Sequence, residues 1–436
     1  MKLQAVRGFK DWLPEDFVKY EYLIEKARLW CKLFNFKEIK IPILEKTELF
    51  VRSIGEVTDI VQKETYSFED RNKDWLTLRP EATAGICRMV IEHGLYVRPK
   101  PLKFFTIGPM FRHERPQKGR LREFFQIDLE VFSELNPYLE AEVIFLALKI
   151  LKSPLPEESD QLYTLELNTL GCPECRPKYR EALLSFLREH KDEVCETCKE
   201  RIERNPLRVL DCKNEGCKKV VSGSPLITDF LCEDCKTHFQ ELKEALESLD
   251  IEFSLNPRLV RGLDYYVRTI FEIKAKGLGA QDTVCAGGRY DYLVKELGGP
   301  ELPAIGFAIG LERWAISLFG DEENKGLLDP NTLTEKLCPD LYLVFLGKPL
   351  IKQGVILSQR FREKGLRCET TYEEKSLKAQ LKNADKLGAK FVLILGEKEW
   401  TEKRAVFRDL KKSAQKEIDF DGLDDLVAKV VKEIKG

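Results

Sequence analysis

The chain has no excess of either charge. Its 71 Lys and Arg face 73 Asp and Glu, for a formal net charge of −2. That excludes a global cationic field, so any nucleic-acid contact must use local patches. Long hydrophobic runs are also missing. Nothing approaches the roughly 18–20 apolar residues of a membrane span. The opening MKLQAVRGFKDWLPED lacks the apolar core of a secretory signal. The expectation is therefore a cytoplasmic protein with no membrane partner. What is present is globular: 43% hydrophobic and 10% aromatic residues over 436 positions, enough for two or three domains with full cores.

Cysteine is plentiful. Thirteen occur, and in a reducing compartment they read as thiols or metal ligands rather than disulfides. Eight of them cluster as Cys172-x-x-Cys175, Cys195-x-x-Cys198, Cys212-x4-Cys217 and Cys232-x-x-Cys235. Eight thiolates fit two tetrahedral zinc sites of four ligands each. Three pairings of the four couples are possible, and spacing does not choose among them. A zinc ion supplies about 10–16 kcal/mol of apparent binding energy in small modules, so it could decide whether such a segment folds. No open coordination position is implied, so the metal reads as structural.

The most informative stretch runs from Lys103 to Phe132. It reads as strand, basic loop, strand. In the second strand Phe125, Ile127, Leu129 and Val131 share one face, which predicts a core side; Gln126, Asp128 and Glu130 share the other, which predicts an outward polar side. Pro109 weakens the first strand, because proline donates no ladder bond. The loop carries Arg112, Arg115, Lys118, Arg120 and Arg122. Cations beside an amide and two carboxylates suit a ligand with an anionic end and a polar or cationic end. Arginine suits phosphate through its planar fork of donors.

Residues 14–34 predict an amphipathic helix with Phe17, Tyr20, Ile24, Ala27, Cys31 and Phe34 on one stripe. A strand is expected next, with Ile39, Ile41 and Ile43 on one face. Trp75–Arg79 alternates like a strand, Pro80 breaks it, and a helix is expected from Thr83 to Val90. Glu81 and Thr83 therefore stand at a strand-to-helix turn. Pro137–Leu151 reads as a helix. Further on, Arg261-Gly262-Leu263-Asp264-Tyr265-Tyr266 forms a compact polar and aromatic cluster. Gly287-Gly288-Arg289-Tyr290 offers backbone that a ligand could approach. Gly306 and Gly310 punctuate a strand that leads into a helix bearing Arg313. After Pro330 and Pro339, a buried strand is expected at Leu341–Leu346, then a helix at Leu366–Thr370, a Lys-rich helix at Ser376–Leu387, a strand at Phe391–Leu395, two short strands and a helix at Leu423–Ile434. That alternation predicts a small α/β domain. Lys375, Lys378, Lys382 and Lys386 give its second helix one basic face.

Several of these stretches resemble one family. FRHERPQKGR followed by EFFQ-x-x-x-E is similar to the second motif of class II aminoacyl-tRNA synthetases in its histidyl-tRNA synthetase form. RGLDYY resembles a motif particular to that form. AIGFAIGLER resembles the third class II motif. RPEAT resembles the family's RPEGT, with Ala82 in place of glycine, and GGRYDYL resembles GGRYDGL, with Tyr292 in place of glycine. The resemblance spans nearly the whole chain.

It implies an α+β fold: an antiparallel sheet flanked by helices, interrupted by a cysteine-rich insertion, with a C-terminal α/β anticodon-binding domain. The implied boundaries are 1–170 and 251–325 for the catalytic domain, 171–250 for the insertion, 326–340 for a linker and 341–436 for the anticodon-binding domain. The implied reaction is two-step, ATP-dependent attachment of histidine to tRNA(His) through histidyl-adenylate, with Mg²⁺, and the implied assembly is a homodimer. Arg112, Glu114 and Arg313 are implied at ATP. Arg261, with Arg112, is implied in catalysis at the α-phosphate. Glu81, Thr83, Arg112, Gln126, Glu130, Arg261, Tyr265, Tyr266 and Tyr290 are implied at histidine. A histidine-sensing regulatory relative of the synthetase is the main rival, but relatives of that kind lack the C-terminal domain and an intact RGLDYY. A zinc-dependent nucleic-acid-binding protein without activity leaves the phosphate-type motifs unexplained.

Overall fold

The structure is a computed structural model that describes residues 3–54, 60–156, 161–279, 282–321 and 325–435. The chain divides into two compact units, Met1–Leu328 and Asp329–Gly436.

In the first unit the early strands are short: β1 (Lys37–Glu38), β2 (Leu44–Lys46), β3 (Tyr66–Glu69) and β4 (Trp75–Leu78). The long β5 (Leu102–Phe111) and β6 (Glu123–Phe132) follow, then β7 (Tyr163–Thr169). Beyond a helical insertion come β8 (Ser254–Leu255), β9 (Val267–Ala275), β10 (Thr283–Arg289) and β11 (Ala304–Gly310). Eight of these strands form one sheet in the order β1-β5-β6-β11-β10-β9-β7-β8. Its centre is antiparallel, and only the two edge strands pair in parallel. β2, β4 and β3 make a small separate sheet.

Helices back the large sheet. The helix Pro137–Lys152 starts at Asn136, whose side chain accepts from the Tyr138 and Leu139 amides at 2.9 and 3.1 Å. This is an asparagine N-cap with proline at the first helical position. Trp314, fully buried on the helix Leu311–Phe319, donates its indole N–H to the Leu151 carbonyl at 3.2 Å. Beneath the helices a buried polar cluster joins three elements: Arg289 reaches Glu140 at 3.0 Å and Asp291 at 2.7 Å, and His238 Nε2 lies 2.7 Å from Glu140. The helix Pro14–Leu33 buries Val18, Leu23, Ala27 and Cys31. Phe17 is exposed, so the buried stripe is rotated from the expected one. The expected strand through Ile39, Ile41 and Ile43 does not form. Those residues link β1 to β2, and the Ile41 and Pro42 carbonyls accept from Arg79 instead of a strand.

The insertion between β7 and β8 folds around its own core. Helices Cys175–Glu189, Glu196–Arg204, Glu215–Ser222 and Glu233–Ser248 bury Tyr179, Leu183, Leu187, Ile202, Val209 and Val221 together with cysteine side chains.

The second unit has β12 (Leu341–Leu346), β13 (Cys368–Thr370), β14 (Phe391–Gly396), β15 (Arg404–Asp409) and β16 (Ala414–Asp419), ordered β13-β12-β14-β15-β16. β12 lies between two parallel neighbours, as its unbroken apolar run requires. The helix expected at Leu366–Thr370 is wrong. The helix lies earlier, at Ile351–Glu363, and residues 368–370 are β13, which buries Cys368 and Thr370 on one face. The stretch expected to be a plain linker contains a helical turn, Asn331–Thr334, with Leu333 buried.

Candidate active site

The site grows from the turn at Arg79. This arginine is buried and donates to the carbonyls of Pro109 at 2.9 Å and Ile41 at 3.0 Å. It therefore ties β4 to β5 at Pro109, beyond the short stretch that β1 pairs. A Cβ at Gly108 would lie 2.5 Å from the Arg79 guanidinium, so glycine there leaves it room. The chain then turns into the helix Thr83–Glu92. Glu81 caps that helix, accepting from the Thr83 and Ala84 amides at 2.7 and 2.9 Å. Ala82 holds ordinary right-handed backbone angles and is fully buried, so a methyl replaces glycine here without strain. Tyr292 also keeps ordinary angles, ahead of the helical turn Leu293–Glu296.

Glu130 is held by two hydroxyls. Thr83 Oγ1 donates to its Oε1 at 2.6 Å, and the Tyr290 hydroxyl donates to its Oε2. Asp128 and Glu130 are buried, so the polar face of β6 looks into a cavity rather than into solvent. Burial pushes the Asp128 carboxyl up to about 8, helped by nearby Glu81. Burial likewise raises Glu130 and Glu81. Gln126 Oε1, Asp128 Oδ2 and Arg261 Nε are buried without a hydrogen-bond partner from the protein. Such atoms are costly to leave unpaired, and here they line space that a polar ligand can fill.

Arg261 is held by Glu272, whose second oxygen accepts from Thr283 Oγ1 at 2.8 Å. Its guanidinium stands 5.8 Å from the Tyr266 ring centre. Tyr265 packs between Tyr266 and Tyr290, with ring centres 4.7 and 5.7 Å away. Arg112 donates to the Pro80 carbonyl at 2.9 Å and lies 5.3 Å from the Phe124 ring centre. Arg313 donates to the carbonyls of Gly119 at 3.1 Å and Thr283 at 2.9 Å. Glu114 pairs with Arg120. Glu312 accepts from the Phe125 amide at 2.9 Å, and burial pushes its carboxyl up to about 7.

All of the residues expected at ATP and histidine line one cavity of about 500 Å³. Of the five loop cations only Arg112 and Arg120 line it. Arg122 is turned to the Glu114 carbonyl at 3.1 Å, Lys118 pairs with Asp321 at 2.6 Å, and Arg115 is exposed. Gly287 and Gly288 lie inside β10, where a Cβ would come within 2.3 Å of the Gly306 carbonyl or 2.6 Å of the Thr269 carbonyl; they serve strand packing rather than ligand approach. Gly306 makes room for Glu130, and Gly306 and Gly310 both line the cavity. Asp128 and Arg120, read from the sequence only as part of the polar face and the basic loop, also line the cavity, as do Glu272, Thr283 and Glu312, for which no role was expected. The strand alternation placed Asp128 with Gln126 and Glu130, and Glu272 falls opposite Thr269, Phe271 and Ile273. That periodicity was the available signal.

Residues 8–314 match the histidyl-tRNA synthetase family, and residues 340–432 match the anticodon binding domain family. The histidine–tRNA ligase of Desulfatibacillum aliphaticivorans is 47% identical over 433 residues, covering 99% of this chain and 100% of that protein. The histidine–tRNA ligase of Desulfotalea psychrophila is 48% identical over 419 residues, covering 96% and 94%. The chain belongs to the histidyl-tRNA synthetase family. The apo histidyl-tRNA synthetase of S. aureus superposes with a TM-score of 0.79 at 32% identity, covering 98% of this chain and 99% of that one. An ATP phosphoribosyltransferase regulatory subunit/histidyl-tRNA synthetase from Bacillus halodurans shares the fold at a TM-score of 0.58 and 21% identity, covering 88% of this chain and 97% of that one.

This synthetase carries a donor set outside the cavity floor as well. Cys172, Cys175, Cys232 and Cys235 converge, as do Cys195, Cys198, Cys212 and Cys217, with all four sulfurs of each group within 4.8 Å of one another. One of the three possible pairings of the couples is thereby selected. All thirteen cysteines are unbridged, and among the described residues no helix is long and apolar enough to cross a membrane.

Proposed function

We infer that this chain joins histidine to tRNA in two ATP-dependent steps. A histidine carboxylate oxygen attacks the α-phosphate of ATP, forming histidyl-adenylate and releasing pyrophosphate. A hydroxyl of the terminal tRNA ribose then attacks the adenylate carbonyl, forming the ester and releasing AMP. The observation that carries this reading is convergence: residues from β6, from the segments 81–83, 112–114 and 261–266, from Tyr290 after β10 and from Arg313 on the helix Leu311–Phe319 meet in one cavity.

Within it, Glu81, Asp128 and Gln126 take the histidine ammonium, with Asp128 giving up its proton as the ammonium binds. Glu130 and Tyr266 pair with the imidazole, and Tyr265 and Tyr290 wall it. Thr83 acts through Glu130, which it holds. A site that must pair with a substrate N–H rejects analogues lacking it by roughly 10⁴–10⁵-fold, so no editing domain is required. Arg112 and Arg313 hold ATP phosphates. Arg261 stabilises the charge that develops on the α-phosphate, preorganised by Glu272 and Thr283. Mg²⁺ accompanies ATP as a charge-neutralising ion, and Glu114, which lines the same cavity two residues after Arg112, is the carboxylate that would hold it.

The C-terminal unit belongs to the anticodon binding domain family. The exposed Lys375, Lys378, Lys382 and Lys386 give it a basic face for tRNA. A homodimer is supported by exposed Leu13, Phe17, Leu29 and Leu33 at the helix Pro14–Leu33 and by exposed Ile43 and Leu44, which leave apolar surface. A cytoplasmic location is supported by unbridged cysteines. The paired thiols fit structural zinc.

The test is ATP–pyrophosphate exchange with each standard amino acid, without tRNA. Exchange with histidine alone is expected. Histidine binding with no exchange would move the assignment to a regulatory relative.

A further inference from the structure

Four sulfurs held about 2.3 Å from a zinc ion at tetrahedral corners lie about 3.8 Å apart. In the group nearer the sheet, Cys172 Sγ stands 3.6 Å from Cys175 Sγ and 3.8 Å from Cys232 Sγ. In the outer group, Cys195 Sγ stands 3.9 Å from Cys212 Sγ. Backbone amides point at the sulfurs: Cys232 N–H donates to Cys175 Sγ at 3.1 Å, and Cys195 N–H to Cys217 Sγ at 3.2 Å. Donors of this kind orient thiolates and stabilise their charge.

Each group is wired to the catalytic sheet. At the inner one, Arg268 has φ +51 and donates to Cys235 Sγ at 3.3 Å. Its backbone exchanges hydrogen bonds with Leu170 and Gly171 at 2.7 and 2.9 Å. Arg176, next to Cys175, donates to the Tyr266 carbonyl at 3.1 Å. The outer group reaches the cavity itself. Cys212 lines it, with Leu210, Asp211, Lys213 and Lys218. Just before them, Arg208 stands so close to the Arg261 loop that a Cβ on Gly262 would lie 3.2 Å from its guanidinium.

We propose that both groups bind Zn²⁺, and that the outer ion holds a wall of the active-site cavity whose Lys213 and Lys218 engage phosphate. The phosphate belongs either to ATP or to the tRNA terminus. The two lysines now pair with Asp211 at 3.1 Å and Glu215 at 2.7 Å on the surface. Exposed pairs like these are weak and exchange readily for a phosphate. This second half of the proposal rests on the synthetase reading; the metal assignment does not.

The full chain, purified without chelator, is expected to hold two zinc ions and no iron. Cobalt-substituted protein is expected to show thiolate-to-metal charge transfer from two tetrahedral sites. Cys212→Ser is expected to lose one ion and keep the other. A double variant, Lys213→Ala with Lys218→Ala, is expected to keep both ions, so it reads the wall even if Cys212→Ser fails to fold. Its KM should rise several-fold for ATP in pyrophosphate exchange if the phosphate is that of ATP, or for tRNA in aminoacylation if it is that of tRNA; the histidine KM should stay put. Fewer than two ions, iron in place of zinc, or no charge-transfer band would overturn the metal assignment. Unchanged KM for both ATP and tRNA would overturn the wall. Two zinc ions in a protein without exchange activity would support the metal assignment while counting against the synthetase reading.

Discussion

Gly306 stands opposite Glu130 across the β6–β11 ladder, and a Cβ on Gly306 would fall 1.6 Å from Glu130 Oε2. The glycine thus exists for the carboxylate. Gly306→Ala is expected to displace Glu130 from Thr83 and Tyr290. Losing charge-assisted hydrogen bonds costs about 1.5–3 kcal/mol, or roughly 10–100-fold in affinity. The histidine KM should rise by that factor while the ATP KM changes little. Steady-state exchange kinetics with each substrate varied in turn checks this.

Arg261→Lys keeps a positive charge and loses the planar fork that Glu272 holds. Adenylate formation is expected to fall about 10²–10³-fold in kcat, the scale of removing a preorganised charge stabiliser. Single-turnover adenylate formation measures it. A variant that forms adenylate near the wild-type rate would remove Arg261 from the chemical step.

The Asp128 carboxyl, pushed up to about 8 by burial and Glu81, gives histidine binding a pH dependence. In the free protein this acid holds its proton below that value. The ammonium needs the carboxylate, so binding must expel the proton. Affinity should rise by up to tenfold per unit between about pH 6 and 8, then level off. Calorimetry in buffers of different ionisation enthalpy should detect the released proton, and Asp128→Asn should flatten the profile. Stability moves the other way. A raised folded-state value means this group's contribution is complete below its unfolded value and is lost as pH rises through about 8. Glu312, at about 7, acts in the same direction.

In the C-terminal unit, the fully buried Gln380 brackets the Phe345 peptide. It donates to the Phe345 carbonyl at 2.7 Å and accepts from the Phe345 amide at 3.2 Å. Gln380→Leu leaves both groups unpaired and should destabilise this unit by about 1–3 kcal/mol. Thermal unfolding of the full chain should show it, while exchange without tRNA stays near wild type.

Much of this was legible before any coordinates. Alternation in β6 sorted Phe125, Ile127, Leu129 and Val131 from Gln126, Asp128 and Glu130 correctly. Yet it could not tell solvent from a lined cavity, because both demand polar side chains. Ile39, Ile41 and Ile43 alternate as a strand should, but the Ile41 and Pro42 carbonyls are claimed by the Arg79 guanidinium, a contact across 38 positions from Ile41. Leu366–Thr370 was misread because a three-residue strand between two helices is too short to show a period. Gly306 shows in the sequence only that space is needed; that Glu130 takes the space follows from the β6–β11 pairing.

The sequence by itself determined the family, the two-unit order, the residues expected at ATP and histidine and the presence of eight paired cysteines. Those are properties of local spacing and residue type. Only the tertiary structure decided which cysteines share a site, which of the loop cations turn inward, and that Asp128 is buried beside Glu81 and Glu130. Each of these depends on distances between segments far apart in the chain. Only the packed sheet and insertion set those distances, because burial and charge proximity are properties of the assembled core rather than of any one stretch.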